Sequence, residues 1–176
     1  MIMANGSILI VGGETGSNGP TQPSLEILPN PVGGAYVTCD YLQRTDPYNL
    51  YPFLAVLPTG GILIAYYNEA RILDPGTFAT TKIPPNIPGA VNNFLGGRTY
   101  PLERTAVLFQ QYAPYIAPLT VLICGGSTPF AQVAIDNCVT IQPEVAEPVW
   151  TIERMVNTSS PPFKNLILFY YYDLSL

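Results

Sequence analysis

Asn5-Gly6-Ser7-Ile8-Leu9-Ile10-Val11-Gly12-Gly13 passes from a turn dipeptide into four apolar residues and stops on two glycines. Asn-Gly is a strong hairpin signal, because both residues accept the positive φ that a tight turn between twisted strands requires. A short apolar run bounded by turn residues reads as a buried strand. A turn running into an apolar strand that ends on glycine or a small residue returns twice, in Thr59-Gly60-Gly61-Ile62-Leu63-Ile64-Ala65 and in Leu119-Thr120-Val121-Leu122-Ile123-Cys124-Gly125-Gly126. The equivalent points Val11, Ala65 and Cys124 lie about 54 and 59 residues apart. A period near 50 residues signals an array of similar small units.

The segments around these runs complete each unit. Ser24 to Leu28 alternates apolar and polar residues, as a half-exposed strand does. Asn49 to Leu57 reads as a strand, Pro58-Thr59-Gly60 as its turn, Ile62 to Ala65 as the antiparallel return and Ala70 to Asp74 as a third strand. Residues 83–89 carry three prolines, which offer no N–H to a ladder, so this stretch is expected to cross to the next unit. Thr105–Phe109, Val121–Cys124, Cys138–Ile141 and Val149–Glu153 then give four more strands. Four antiparallel strands per unit, recurring near 50 residues, predict an all-β chain of about three consecutive blades of a kelch-type β-propeller. Three blades make an incomplete ring, expected to form an open arc whose uncovered end faces invite self-association.

Composition narrows the function. Hydrophobic residues make up 48 % and charged residues 11 %, too apolar for a disordered tail. The 19 prolines and 15 glycines are spread as turn punctuation and argue against long helices. A net charge of −5 gives no basic footprint for nucleic acid or an anionic membrane, and no apolar run reaches spanning length. With no histidine in the chain, a catalytic zinc, a Ser-His-Asp triad or a histidine-ligated copper would need a residue from elsewhere. Met1 to Ala4 meets Asn5-Gly6 without a basic n-region or an apolar h-region, so the sequence as written is expected to stay in the cytosol.

Several segments occur in an order that resembles the glyoxal oxidase N-terminal region of the copper radical oxidases related to galactose oxidase. They are Asn49-Leu50-Tyr51-Pro52-Phe53, Ile72-Leu73-Asp74-Pro75, Pro88-Gly89, Arg98-Thr99-Tyr100-Pro101, Val121 to Gly126 and Pro148 to Met155. The resemblance covers residues 1–155, and residues 156–176 read as a tail outside it, either a strand or disordered. It implies an extracellular family with a seven-bladed propeller, which oxidises aldehydes or primary alcohols and reduces oxygen to hydrogen peroxide. One copper would do this, held by a cysteine-crosslinked tyrosyl radical, an axial tyrosine and two histidines. No residue of this chain matches those ligands. The expectation is therefore an internal piece of such an enzyme, from a truncated or mispredicted gene, with no copper of its own and no activity alone. The alternative is a non-catalytic propeller-like module that binds protein or glycan.

Some individual residues remain as candidates. Arg98 and Tyr100 precede an innermost strand, where they would rim a central channel; the bland reading is a structural arginine paired with Glu103 or a carbonyl. Cys124 and Cys138 would close a disulfide worth roughly 3 kcal/mol, or remain two buried thiols. Cys39 reads as an unpaired loop residue. The chain's many tyrosines read as packing and turn residues. Asn5-Gly6-Ser7 and Asn157-Thr158-Ser159 match the N-glycosylation triplet, but without a secretory leader both are expected to be idle.

Overall fold

The computed structural model describes residues 1–17, 19–29, 37–89, 96–99, 102, 104–128 and 134–154. The expected tail strand at 166–172, Tyr36, Tyr100 and Glu103 lie outside them. Among the described residues the chain forms three antiparallel sheets in sequence order and one short helix. Sheet I contains β1 (Ile8–Val11), β2 (Ser24–Leu28) and β3 (Val37–Thr38). Sheet II follows with β4 (Phe53–Val56), β5 (Ile62–Tyr66), β6 (Glu69–Leu73) and β7 (Thr80–Lys82), and sheet III with β8 (Arg104–Leu108), β9 (Val121–Gly125), β10 (Asn137–Ile141) and β11 (Thr151–Arg154). Each four-stranded sheet is a meander in which sequential strands pair.

The three sheets stack, and β5 shows how. Its register with β6 places Leu63 opposite Ile72 and Ala65 opposite Ala70 on one face, with Ile62 opposite Leu73 on the other. The first face joins Val121, Ile123, Val139, Ile141 and Trp150 of sheet III in one apolar cluster. The second joins Leu9, Val11 and Leu25 of sheet I in another. Every residue of β5 is buried, which is why its sequence is a continuous apolar run and not an alternating one. Sheet I, with one covered face, shows strict alternation in β1: Leu9 and Val11 are buried, while Ile8 and Ile10 are exposed. No ring closes among the described residues, as expected for an incomplete set of propeller blades.

Three details depart from the sequence reading. Sheet I has three strands, not four, among the described residues: Met1–Met3 folds back on β1 through an Ile2–Ile8 bridge and the Leu9 N–H to Met1 O bond (2.8 Å) without forming a full strand. The fourth strand of sheet II is Thr80-Thr81-Lys82, a short polar edge with no apolar pattern to announce it. The stretch after Cys39, to which the sequence assigned no element, holds helix α1 (Asp40–Arg44). Asp40 in its first turn and Arg44 in its last suit the helix dipole, and Tyr41 and Leu42 are buried against sheets I and II. The Thr45 hydroxyl donates to Tyr41 O (2.8 Å) and Asn49 Nδ2 to Leu42 O (2.5 Å), satisfying carbonyls the short helix leaves open.

Candidate functional site

The strand ends that follow the three apolar runs are also the joints between sheets. Gly12 and Gly13 (φ 67° and 100°) end β1, and Gly125 and Gly126 (φ 77° and 123°) end β9. The equivalent place after β5 is held by Tyr67, a non-glycine residue with φ 50°. The Gly13 N–H donates to Leu50 O (2.5 Å), and a Cβ on Gly12 would sit 2.7 Å from that carbonyl, so only glycine allows the approach. In the next joint the Tyr67 N–H donates to Thr99 Oγ1 (2.6 Å), and the Arg98 N–H donates to Tyr67 O (2.7 Å). Each sheet is thereby fastened to the segment leading into the first strand of the following sheet. Those segments, Asn49-Leu50-Tyr51-Pro52 and Arg98-Thr99-Tyr100-Pro101, share a Tyr-Pro frame about 49 residues apart. That repeat was visible in the sequence and went unread.

Arg98 is fully buried. Its guanidinium donates to Pro88 O (2.9 Å), Gly125 O (3.0 Å), Asn137 O (3.2 Å) and Gly89 O (3.4 Å), and also to Asn137 Oδ1. These bonds tie the crossover at residues 88–89 to the ends of β9 and β10. Among the described residues its guanidinium partners are all oxygens of uncharged groups, and burial pulls its pKa down to about 10. Arg104, at the start of β8, donates from Nη2 to Leu102 O (3.0 Å) and to Gly97 O, while its Nε and Nη1 are buried without a hydrogen-bond partner. Burial, and then the charge of Arg98, bring its pKa down to about 8, which leaves it mainly cationic at neutral pH. Neither Arg104 nor Asn137 was singled out by the sequence, since what marks them is proximity across sheet III.

A second polar cluster lies at the edge of the sheet I/II interface. Arg44 of α1 pairs with Glu69 of β6 through two bonds (2.6 and 2.5 Å). Tyr66 donates its hydroxyl to Glu69 Oε2 (2.9 Å), and Arg71 Nε donates to that hydroxyl (2.7 Å). The Arg71 guanidinium lies 4.7 Å from the Tyr41 ring centroid, and the Tyr41 and Tyr66 rings pack 5.1 Å apart. Burial pushes the Glu69 carboxyl up, but the Arg44 and Tyr66 bonds outweigh it and hold the group below the usual carboxylate range. Burial carries the Tyr41 and Tyr66 hydroxyls well above the ordinary phenol range, and it also raises the Cys39 thiol. Cys39 is free and buried, immediately before α1. Cys124 and Cys138 stand directly opposite on β9 and β10 and are bonded, S–S 2.07 Å.

These residues do not fit a copper centre. The chain has no histidine, and among the described residues no group of three or more histidine, cysteine, aspartate or glutamate side chains converges. A phenolate ligand must lose its proton, which the burial of Tyr41 and Tyr66 opposes. The clefts are modest. One of about 100 Å³ opens between sheets II and III beside Phe53, Ala55, Ala65, Ala106, Leu108 and Ile123, and is apolar. Another of about 350 Å³ is bordered by Thr120, Thr140, Gln142 and Thr151 at sheet III.

Comparison with known proteins follows the same line as the geometry. The model of the family described as "Glyoxal oxidase N-terminus" matches residues 1–160. A WSC domain-containing protein of Arthroderma benhamiae is 66 % identical over 155 residues, covering 88 % of this chain and 17 % of that protein. A putative aldehyde oxidase of Artemisia annua is 30 % identical over 91 % of the chain and 30 % of its own length. An aldehyde oxidase of Arabidopsis thaliana is 31 % identical over 64 % of the chain and 20 % of its own length. The chain thus spans less than a third of each of these relatives.

Proposed function

The chain belongs to the glyoxal oxidase N-terminus family, and from that premise we propose that residues 1–155 supply consecutive blades of the propeller wall of an aldehyde-oxidising enzyme. In the reaction this family resemblance implies, an aldehyde is oxidised while oxygen is reduced to hydrogen peroxide at copper. The role of these residues is architectural. They stack three sheets, fastened at equivalent positions, and they do not hold the metal. The observation that carries the reading is the pairing of those fastenings with the donor set. Gly13 to Leu50 O and Tyr67 to Thr99 Oγ1 fasten equivalent positions of successive sheets, while a chain without histidine cannot furnish an imidazole-ligated copper.

It follows that the 176 residues alone turn over no aldehyde. The test is to load the purified chain with Cu(II) and assay glyoxal and methylglyoxal with a peroxidase-coupled readout. Peroxide formation no greater than that of free copper is expected; chelator-sensitive turnover above it would refute the reading. The same reading makes the outer face of sheet I, where Ile8 and Ile10 are exposed at 45 % and 41 %, a surface that copies of the chain cover in one another. Light scattering after size exclusion should show concentration-dependent association, and a strict monomer would count against it.

A further inference from the structure

We propose that Asn5 is an N-glycosylation site, presented by a preformed turn that offers its carboxamide nitrogen to a glycosyl donor. Residues 1–9 form a tight hairpin closed by local bonds: Met3 N–H to Ser7 O (2.8 Å), Gly6 N–H to Met3 O (2.9 Å) and Leu9 N–H to Met1 O (2.8 Å). Asn5 and Gly6 stand exposed at its tip. Gly6 has φ 83°, and a Cβ placed there would meet nothing within 4 Å, so the space beside the acceptor is open.

The third residue of the triplet does specific work here. Asn5 Oδ1 accepts the Ser7 N–H (3.0 Å), and Ser7 Oγ lies 2.6 Å from the same oxygen. Ser7 Oγ also lies 3.5 Å from Met3 Sδ, a far weaker acceptor, so its proton belongs to the Asn5 oxygen. This Asx turn holds the carboxamide oxygen of exposed Asn5 on two donors and leaves its Nδ2 out of those bonds. Two donors on the oxygen draw density from the amide and make an N–H proton easier to lose. In the transfer, Nδ2 attacks the anomeric carbon of an oligosaccharide carried on a polyprenyl diphosphate. The C–N bond forms as the bond from that carbon to the diphosphate oxygen breaks. The polyprenyl diphosphate leaves with the electron pair, and the Nδ2 proton passes to a base. No oxidation or reduction is involved.

An independent feature suits passage through the compartment where such donors are found. The Cys124–Cys138 disulfide sits in register across β9 and β10, and disulfides persist in oxidising compartments of the secretory route. Only passage through that compartment is needed. The second triplet, at Asn157, lies outside the described residues and is removed in the test.

The test translates the full chain behind a cleavable secretion leader in the presence of microsomes, with translocation scored by protease protection. In an Asn157→Gln background, one glycan removable by peptide N-glycosidase F is expected. Asn5→Gln and Ser7→Ala should abolish it, and Ser7→Thr should retain it at equal or higher occupancy. On folded, secreted protein the glycan should be released without denaturation, since the tip is exposed. A protease-protected Asn157→Gln chain that carries no glycan would overturn the proposal. So would a glycan that survives Asn5→Gln. Because transfer is read on the translocated chain, a variant that fails to fold still gives an answer.

Discussion

The two interfaces that flank sheet II are fastened at equivalent positions, Gly13 to Leu50 and Tyr67 to Thr99, and closed by different side chains. Between sheets I and II the apolar layer of Leu9, Val11, Leu25, Ile62, Ile64 and Leu73 is bordered by α1 and by the Arg44–Glu69–Tyr66–Arg71 chain of charged and aromatic groups. Between sheets II and III the layer is built from alanine and β-branched or leucine side chains, with Trp150 donating Nε1–H to Pro85 O (2.8 Å) at its margin. The buried polar anchor ahead of the next sheet is Asn49 in the first case and Arg98 in the second. Asn49 closes a local helix end, whereas Arg98 binds groups from three separate segments. The first anchor is therefore tied locally and the second across distance. The fold needs only that the joint geometry be kept and every buried polar group find a partner.

The largest break in that comparison should come from its two anchors. Arg98→Ala strands several buried carbonyls and is expected to cost about 4 kcal/mol, against about 1–2 kcal/mol for Asn49→Ala; urea denaturation of both variants gives the ratio, and equal losses would erase the distinction drawn here. Next is the covalent tie in sheet III. Replacing both Cys124 and Cys138 by serine should lose roughly 3 kcal/mol relative to the oxidised protein, by the loop-closure argument for a short loop. Reduction of the unmodified protein should lower its denaturation midpoint in the same direction.

A smaller effect sharpens the polar side. Glu69→Gln should cost about 1 kcal/mol, discounted because the Arg44 side chain is 51 % exposed. Since the folded pKa of Glu69 lies below its unfolded value, the unfolded state binds more protons in between. This contribution is full above the ordinary glutamate value of about 4.3 and fades as pH falls through the folded pKa. The variant should lose that part of the acid slope in stability measured from pH 6 to pH 3. Smallest of all is Tyr67→Gly. It relieves a left-handed residue by about 1 kcal/mol and gives up the stacking of Tyr67 on Tyr48 (ring centroids 5.3 Å apart), worth about as much. Thermal melts of the two proteins should nearly coincide.

The three apolar strands that recur, β1, β5 and β9, were legible because their signal is local: each follows turn residues and needs no partner to be read. Sheet order followed from the short connections within each unit. Helix α1 was hidden because five residues give too little periodicity and its stability comes from burying Tyr41 and Leu42. β7 was hidden because a polar edge strand is defined by its neighbour, and its register with β6 slips at Ile72/Leu73. Arg98 was noticed for its place before β8, but its partners Gly125 and Asn137 are 27 and 39 residues away. The Arg44–Glu69 pair spans 25 residues, and no spacing rule reaches that far outside a regular element.

The burial of β5 on both faces has a kinetic corollary. Its amides lie between two neighbours, with no residue at the surface, so solvent reaches them only when a whole flanking sheet departs. In deuterium-labelling experiments Ile62 to Tyr66 should be the last backbone protons to fade, and their rate a direct gauge of how firmly the stack as a whole is held.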